Sequence, residues 1–386
     1  MDSFQLLRME ISKTRVKMGM RLRKRYSRFK FNDGAKLCSI LCLFFFSFSS
    51  ITLQAQDPYF SNNLYHTLYL NPAYTGYGAK LKVNLSYRNQ WRYQNFPSYR
   101  TTYAAVESKV ICFNKGSYLA VGGYGLFDQE YLGAINNSNS QLSVATSLKL
   151  AQSGTLQARL MLGIGLGLIS RNYNINDPVL FETIVTNGNN FDPSFAANNG
   201  FIGKSLREDV SVGSAIEISL KNRHFLLLGV SGAHLTSPEI FVGDRVERKF
   251  GGNFLGSFSM KNRLNTKFYT DFTWQNKFMR SQTGFTIGLA PDFINNSTKD
   301  DFGIEAGVTI GLVGDVNKTM AVESVVPVIV INYMFVEVII SKDINISSRS
   351  VSENRGGMEF TFQFKITRKE HLRKICNPSS ILCPEF

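Results

Sequence analysis

The feature that most constrains this chain is an alternation of apolar and polar residues with a period of two. In Lys80–Arg88, leucine, valine and tyrosine occupy every second position, and lysine, asparagine, serine and arginine occupy the positions between them. The segments 209–220, 267–275 and 357–366 alternate in the same way. Because successive side chains of a β-strand point to opposite faces, each segment predicts a strand with one apolar and one polar face rather than an amphipathic helix.

Two architectures contain strands of this kind. A soluble β-sandwich turns its apolar faces inward, whereas a membrane barrel turns them outward to lipid. Many of the segments have about 10–12 residues, close to the roughly 9–11 that cross a bilayer at a tilt, while sandwich strands usually have about five or six. About 14 segments follow one another, an even number, as in bacterial single-chain barrels. They begin near Leu81, Tyr99, Tyr118, Gln141, Leu156, Asp209, Phe225, Phe250, Lys267, Ser281, Asp301, Ser324, Phe335 and Gly357.

The predicted connections alternate between short and long, and outer-membrane barrels combine short periplasmic turns with longer extracellular loops. Short connections such as "FNKG", "AQSG" and "LKNRH" are interleaved with long ones. "QNKFMR" is short where a long loop is expected, and 293–299 is longer than a simple turn. We therefore expect residues 80–368 to form an all-β fold, a transmembrane antiparallel β-barrel of about 14 strands. The long loops are predicted at 89–98, 128–139, 171–208, 234–249, 314–323 and 347–355.

Residues 1–55 predict a secretory signal peptide with a long basic region. An apolar run from Leu37 to about Phe48 follows the basic residues. About a dozen apolar residues is short for a membrane helix, which needs roughly 20, so we expect cleavage after Ala55 and delivery to the bacterial outer membrane. A membrane anchor is the alternative, because the basic region is unusually long; a true start further along the chain would explain that length.

The charge balance changes once the signal is set aside. The chain carries a net charge of +14, but residues 1–36 contain eleven Lys/Arg and three acidic residues. Eight of the 14 excess charges therefore leave with the signal, and six remain in the mature chain. Because most of the basicity belongs to targeting, a nucleic-acid partner is not predicted.

Patterns that carry catalysis or bind metals are missing from the sequence. The four histidines are scattered without triad or metal spacing, and there is no G-x-S-x-G motif. "GIGLGL" at 163–168 lacks the third-glycine spacing of a nucleotide-binding loop. Its glycines share one face of a strand, where they would leave room inside the barrel for something packed against the wall. We predict no enzyme, no cofactor and no metal site.

The stretch "QDPYFSNNLYHTLYLNPAYTGY", followed by "VNLSYRNQW", carries the most specific motifs. It resembles the N-terminal signature of the PorP/SprF family of Bacteroidetes outer-membrane proteins, which reads Q-D-P-x-F-S, then L-x-L-N-P-A-x-x-G, then Y-R-N-Q-W. The matching residues of this chain are Gln56, Asp57, Pro58, Phe60, Ser61, Leu68, Leu70, Asn71, Pro72, Ala73, Gly76, Tyr87, Arg88, Asn89, Gln90 and Trp91.

Later stretches resemble the same family. "GVSGAHLTSP" is similar to G-x-S-x-x-H-L-x-x-P through His234, Leu235 and Pro238, and "RGGMEFTFQFKI" and "CPEF" resemble the family's C-terminal end. Asn62-Asn63 stands where Gln-Phe is usual, and 336–341 departs from Gly-x-Ser-Tyr-Asp. These departures leave the subgroup and the partner open.

The resemblance implies a 14-stranded outer-membrane barrel of type IX secretion, associated in gliding relatives with mobile surface adhesins, and it implies no enzymatic activity. The implied partners are outer-membrane lipid, other secretion-system components and a secreted protein with a type IX C-terminal domain, such as a large adhesin. The barrel would be a platform that assists export or surface retention of this protein. A diffusion channel or transporter for small molecules and a soluble secreted β-protein are the alternatives.

Residues 56–79 are predicted to form a plug inside the barrel. The segment lies between the cleavage site and the first strand, so we expect it to begin on the periplasmic side. Phe60, Leu64 and Leu68 recur at helical spacing, and Asn71-Pro72 would end such a helix because the residue before proline avoids the α region. An apolar-faced helix has a place to pack in a glycine-lined lumen.

Arg88 falls on the inward face, near the outer end of the first predicted strand. It is expected either to pair with an acidic group of the plug or of the neighbouring wall, or only to line a wet lumen. In the second case Trp91 is an interface anchor. Glu217, Asp271 and Glu359 also fall on inward faces, which predicts an interior with charges of both signs.

Residues 369–386 are predicted to be a periplasmic tail that contains Cys376 and Cys383. We expect a disulfide between these two cysteines, because a short loop closes easily. A Cys112–Cys376 disulfide, which would tie the tail under the barrel, is the alternative.

Overall fold

The computed structural model leaves some of the sequence-based predictions untested. The predicted signal peptide, the predicted tail with Cys376 and Cys383, and Trp91 lie outside the residues that the structure describes. Those predictions therefore stay predictions. The described residues are 57–90, 99–113, 117–130, 135–153, 155–173, 203–220, 224–241, 244–260, 264–289, 302–315, 320–346 and 356–366.

Strands make up most of the described chain. In chain order they are β1 Leu81–Gln90, β2 Tyr99–Cys112, β3 Tyr118–Glu130, β4 Ile135–Ser153, β5 Leu156–Tyr173, β6 Gly203–Leu220, β7 His224–Ala233, β8 Glu239–Phe241, β9 Asp244–Arg245, β10 Lys249–Met260, β11 Leu264–Gln275, β12 Phe278–Leu289, β13 Phe302–Asp315, β14 Ala321–Tyr333, β15 Val336–Lys342, β16 Ile344–Asn345 and β17 Gly357–Ile366.

Fourteen of these strands form a closed antiparallel barrel. Each strand from β1 to β7 and from β10 to β15 pairs with the next, β7 pairs with β10, and β15 pairs with β17, which closes the ring on β1. The short strands β8 and β9 form a separate hairpin, and β16 pairs with β14. The fold class and the fourteen strands expected from the alternation are confirmed.

The two faces of the barrel wall are those that the alternation predicts. Along β1, Leu85 and Tyr87 are 48% and 43% exposed on the outside, whereas Asn84 and Arg88 are buried on the inside. The strands β6, β11 and β17 alternate in the same sense. An apolar outer band around a polar interior is the arrangement of a barrel that faces lipid. Within the described ranges, no helix is long and apolar enough to cross a membrane.

Three strands are longer than the sequence predicts. β4, β5 and β6 contain 19, 18 and 18 residues. Residues 135–139, which were expected in a loop, and Ser140 after them pair with both β3 and β5. Their sequence "INNSNS" is polar at almost every position, so no alternation reveals the strand, and the backbone ladder alone extends it. The loops predicted at 128–139 and 171–208 are correspondingly shorter.

The two ends of the barrel carry different connections. We call the end at which β1 begins and β17 ends the turn end, and the opposite end the loop end. At the turn end only Met334 and Phe335 join β14 to β15, whereas at the loop end the β8–β9 hairpin lies between β7 and β10. Asn276 and Lys277 join β11 to β12 at the loop end, which is the short exception that the sequence predicts. In barrels of this class, the turn end faces the periplasm.

Cys112 ends β2 at the turn end and takes part in a disulfide. The described ranges contain no second cysteine, so the partner lies outside them. The Cys376–Cys383 and Cys112–Cys376 pairings both stay predictions, because Cys376 and Cys383 lie outside the described residues.

A charge on the outer band should destabilise the barrel in lipid. Leu85 lies near the middle of β1 and faces outward. We expect Leu85→Arg to lower the free energy of unfolding in lipid vesicles by about 2–4 kcal/mol, because the charge must enter the hydrocarbon region. Urea titration followed by tryptophan fluorescence measures this, with Leu85→Met as the control. Equal stability of the two variants would contradict a lipid-facing position.

Candidate functional site: a segment inside the barrel

Residues 57–80, which we call the N-terminal segment, lie inside the barrel. The segment contains a 3-10 turn at Asn63–Tyr65, a short helix α1 at Thr67–Leu70 and a second 3-10 turn at Pro72–Tyr74. Phe60, Leu68 and most of the segment's other side chains are buried. The segment thus occupies the space that the polar inner faces of the strands enclose.

A single helix that ends at Asn71-Pro72 was expected, and the structure has a 3-10 turn and the short helix α1 in its place, with a second 3-10 turn after Asn71. Asparagine side chains cap the start of both 3-10 turns. The Asn62 side chain accepts a hydrogen bond from the Leu64 N–H at 3.1 Å, and the Asn71 side chain accepts one from the Ala73 N–H at 2.9 Å. Asparagine side chains compete with the backbone for such bonds and favour caps over helix interiors. As predicted, α1 ends just before the Asn71-Pro72 pair, where Asn71 is extended.

The segment runs through the barrel from the loop end to the turn end. Asp57 contacts residues at the loop end, whereas the Lys80 N–H donates to the Ile366 carbonyl at the turn end, at 2.8 Å. The start of the segment therefore lies at the opposite end from the periplasmic side on which it was expected. The sequence gives no signal for this direction, because it depends on contacts with distant strands.

At the loop end, Asp57 belongs to a buried charge cluster. Its Oδ2 lies 2.7 Å from His234 Nε2 and 2.7 Å from Lys249 Nζ, and the other ring nitrogen of His234 lies 2.9 Å from Asp209 Oδ2. Gln275 accepts a hydrogen bond from the Asp57 N–H at 3.2 Å. His234 is thus held between two carboxylates, one from the segment and one from β6.

The cluster shifts the acidity of its members. Burial alone would lower the pKa of His234, but the charge of Asp57 and the hydrogen bonds of Asp209 and Asp57 outweigh it and raise this pKa from 6.5 to about 9. Burial would raise the pKa of Asp57, but His234 and Lys249 hold it well below its usual range. At neutral pH the imidazole is therefore a cation between two carboxylates, which fastens the start of the segment to the wall.

Near the loop end of β1, Arg88 binds the segment and two acidic residues. It is fully buried. Its Nε lies 3.0 Å from Ser61 Oγ, and its two terminal nitrogens lie 2.5 Å from the Tyr59 carbonyl and from Asp343 Oδ2. Glu359 Oε2 lies 3.8 Å from Nε. Of the two arrangements considered for Arg88, the structure has the paired one.

Aromatic rings fill the centre of the lumen. Phe60 stacks on the imidazole of His66 with ring centroids 3.6 Å apart, and Tyr69 and Tyr103 meet Phe60 edge-on. The imidazole packs in this stack as an aromatic group.

Towards the turn end, the segment backbone touches the wall where the wall has no side chains. A Cβ at Gly163 would collide with the Pro72 carbonyl and lie 2.5 Å from the Ala73 nitrogen, and a Cβ at Gly213 would overlap Asn71 Oδ1. The Asn71 amide donates to the carbonyls of Ser214 and Val230 at 3.2 and 3.1 Å. The glycines of the wall thus form the seat for Asn71-Pro72.

The motif residues that the sequence predicts lie in three kinds of position. His234 meets Asp57, 177 residues away in sequence; Leu235 donates its N–H to the Val210 carbonyl, and Pro238 accepts from Val246. Tyr87 faces outward and lies apart from the segment. The others contact one another inside the barrel or lie in the adjoining part of β1: Asp57, Pro58, Phe60, Ser61, Leu70, Asn71, Pro72, Ala73, Gly76, Arg88, Asn89 and Gln90.

Several residues that bind the segment, or that bind His234 and Arg88 beside it, were not singled out from the sequence. Each is polar, and for those within strands the inward position was the only signal available. In the described part of the chain, no group of three or more His, Cys, Asp or Glu side chains is arranged to hold a metal ion. The unanticipated wall residues are Asp209, Ser231, Lys249, Gln282, Asp343 and Gln363.

Comparison with known proteins identifies a family. Residues 52–364 match the family model described as "Type IX secretion system membrane protein PorP/SprF". No curated protein matches the chain. Together with the closed barrel and its apolar outer band, this match makes the chain an outer-membrane protein, as the sequence predicts.

Solved structures with a similar fold include three bacterial barrels. The Ralstonia pickettii toluene transporter TbuX is 10% identical, with a TM-score of 0.43 over 78% of this chain and 93% of that chain. The Pseudomonas putida toluene transporter TodX is 10% identical, with a TM-score of 0.41 over 82% and 98%. CdiB from Acinetobacter baumannii is 9% identical, with a TM-score of 0.40 over 74% of this chain, which spans 60% of CdiB.

The His234 cluster should make stability depend on pH. Because the pKa of His234 is raised from 6.5 to about 9, its contribution is complete below pH 6.5 and is lost as the pH rises through about 9. The loss is on the order of 3 kcal/mol. The lowered pKa of Asp57 stabilises the folded state at every pH above the usual pKa of an aspartate, and this stabilisation is lost only in strong acid.

Urea unfolding in detergent micelles, from about pH 6 to about pH 10, measures this dependence. We expect His234→Gln to be less stable than the wild type near pH 6 and to lose little more between pH 6.5 and pH 9. A variant with the slope of the wild type would assign the pH dependence to other groups.

The glycine seat should tolerate no side chain. We expect Gly213→Ala to destabilise the protein by about 1–3 kcal/mol through overpacking against Asn71. In an Asn71→Ala background the cost should fall, because the colliding oxygen is gone. The control is Gly252→Ala in β10, where a Cβ would meet nothing within 4 Å. Additive effects of Gly213→Ala and Asn71→Ala in a double-mutant cycle would argue against the seat.

Proposed function

Since the chain belongs to the PorP/SprF family of type IX secretion system membrane proteins, we propose that it is a closed platform that assists export or surface retention of a secreted partner. The partner would carry a type IX C-terminal domain and could be a large adhesin, and further contacts would be made to other secretion-system components. A link to gliding motility belongs to the same proposal. The platform works by binding, without an enzymatic step.

The occupied lumen is the observation that carries this proposal. The N-terminal segment is hydrogen-bonded to strands around the ring, among them β1, β6, β7, β11, β12 and β17. The described residues line two internal cavities, about 70 Å³ near the loop end and about 180 Å³ near the turn end. Leu70 of the segment borders both cavities, so the segment separates them. A divided lumen favours a platform over an open channel.

The β8–β9 hairpin at the loop end offers a surface for a partner that is supported by packing on the wall. Ile240 of the hairpin and Val246 just after it pack on Ile169 of the extended β5, and all three are buried. The packing holds Glu239 and Arg245 in an ion pair whose side chains are 41% and 65% exposed. Fixed charges on a supported hairpin can select a partner of complementary charge.

Surface retention of a reporter tests the platform function. A fluorescent protein fused to a type IX C-terminal domain is expressed in the native host, and the fractions on cells and in the medium are measured. We expect reversal of the hairpin charges, Glu239→Lys with Arg245→Glu, to reduce surface retention about tenfold, because charge complementarity is lost.

The matched control is Met334→Asn in the β14–β15 turn, at the opposite end of the barrel. Asparagine tolerates the positive φ of this position, so the barrel is preserved and retention should equal that of the wild type. Retention that persists when the whole protein is absent would overturn the proposal.

Electrical recording separates the platform from the alternative, a diffusion channel or transporter for small molecules. We expect the full-length protein to give no stepwise conductance in planar bilayers, because the segment divides the lumen. Gly163→Val with Gly213→Val, which fills the seat of Asn71-Pro72, should unseat the segment and produce conductance steps. The control is Gly252→Val. Steady conductance of the wild type would favour the channel.

A further inference from the structure

The first and last strands of the barrel meet at a single seam. β1 and β17 pair antiparallel from Leu81 with Ile366 to Gln90 with Gly357, and this pairing closes the ring. Three of the paired positions carry long polar side chains on the inside, and one of them is Lys82 opposite Lys365. The other two are Arg88 opposite Glu359 and, four residues away on each strand, Asn84 opposite Gln363.

The N-terminal segment bridges both of these cross-strand pairs. The Ser61 N–H donates to Glu359 Oε2 at 2.6 Å, and Arg88 of the opposite strand donates to Ser61 Oγ at 3.0 Å. The Tyr65 carbonyl accepts from Asn84 at 2.7 Å and from Gln363 at 2.6 Å. Ser61 and Tyr65 are four residues apart, like the pairs that they bridge. The segment therefore touches both sides of the seam at two matched positions.

These contacts are buried, so they matter energetically. Arg88, Asn84, Glu359 and Gln363 are each at most 3% exposed. Buried polar and charged groups are costly unless they are hydrogen-bonded. When β1 and β17 pair around the segment, these four side chains gain their hydrogen-bond partners in the same step. A direct bond, between Ser86 Oγ and Thr361 Oγ1 at 2.9 Å, links the strands at the position between the two bridges.

The two strands of the seam lie at very different distances from the N-terminal segment along the chain. Tyr65 and Asn84 are 19 residues apart, and Thr67 and Lys82, whose side chains bond at 2.8 Å, are 15 apart. The contacts of the segment with β17 span 298 residues. Contacts between near neighbours in sequence close short loops and form early, whereas distant ones form late. The segment can dock on β1 before β17 arrives.

The neighbouring strands strengthen this early docking. Phe60 and Leu68 pack in one buried cluster with Tyr103 of β2 and with Tyr124 of β3. The Gly76 N–H donates to Glu107 of β2 at 2.6 Å. The segment and the first three strands thus share a core of their own, built from residues within the first part of the barrel.

We propose that the N-terminal segment has a further function as the template on which the barrel closes. Docked on β1, it presents the Ser61 N–H and the Tyr65 carbonyl to the incoming β17, and Glu359 and Gln363 bind them as the seam forms. This function concerns assembly and is independent of the platform function. The two proposals can fail separately, because the template is tested by folding rates and the platform by retention of the partner.

Three substitutions in the full-length chain test the template. Gln363→Ala removes a bond between the segment and the seam. Gln282→Ala removes the same kind of bond, from a glutamine amide to the Phe60 carbonyl at 2.8 Å, together with the bond that Gln282 accepts from the Asn63 N–H at 3.0 Å, but on β12 and away from the seam. Thr361→Val removes the direct bond between the seam strands without touching the segment. Ser61→Ala is a milder second seam variant, which loses only the hydroxyl that Arg88 binds.

Folding and unfolding rates are measured in lipid vesicles after dilution from urea, with barrel closure followed by the mobility of unheated samples on gels. We expect Gln363→Ala to close about tenfold more slowly with a nearly unchanged unfolding rate, and Ser61→Ala to slow closure in the same direction. Gln282→Ala and Thr361→Val should mainly unfold faster. The proposal is overturned if Gln363→Ala acts on unfolding as the controls do, or if Thr361→Val slows closure equally.

Discussion

In the hydrocarbon region of a membrane, a strand edge without a partner leaves backbone N–H and C=O groups that nothing else can satisfy. The whole structure therefore depends on the pairing of β1 with β17, which removes the last two edges. Closure with fourteen strands gives a wide interior, because about eight strands already enclose a space that wall side chains can fill. The polar inner faces need partners in that space, and the N-terminal segment supplies them with hydrogen bonds, aromatic packing and charge.

The segment also accounts for the places where the wall departs from its own pattern. Phe225, Leu227 and Leu255 face the interior although they are apolar, and they pack with Tyr74 and with other residues of the segment. Without that cover, these side chains would line a polar lumen. The inner face of the barrel is thus polar where it bonds the backbone and the polar side chains of the segment, and apolar where it packs against Tyr74. Wall and segment form one core.

The fold was largely predictable from the sequence, and the site only in part. Period-two alternation requires only local order, so strands such as β1 were evident, whereas 135–140, polar on both faces, was not. Asp57 and His234 belong to separate motifs, but their contact spans 177 residues and has no local signal. The single expected helix is divided into a 3-10 turn and α1, and the helical spacing of Phe60, Leu64 and Leu68 contains no signal for that division. The contact partners of the segment and its direction through the barrel depend on tertiary contacts, for which no single stretch of the sequence contains a signal.

The direction of the segment has a mechanical consequence. The segment enters at the loop end and is continuous with β1 at the turn end, so a pull on Asp57 from outside the cell acts along the barrel axis. Such a force would load the His234 and Lys249 contacts first, the Asn71 seat later and the Gly76 and Lys80 contacts last, so the bonds would break in sequence, as in unzipping. A pull from the periplasm would act on Lys80 and on the strand ends together, as in shear. The attachment of the segment to the wall is therefore anisotropic under tension. It resists a pull from outside the cell less than a pull from the periplasm.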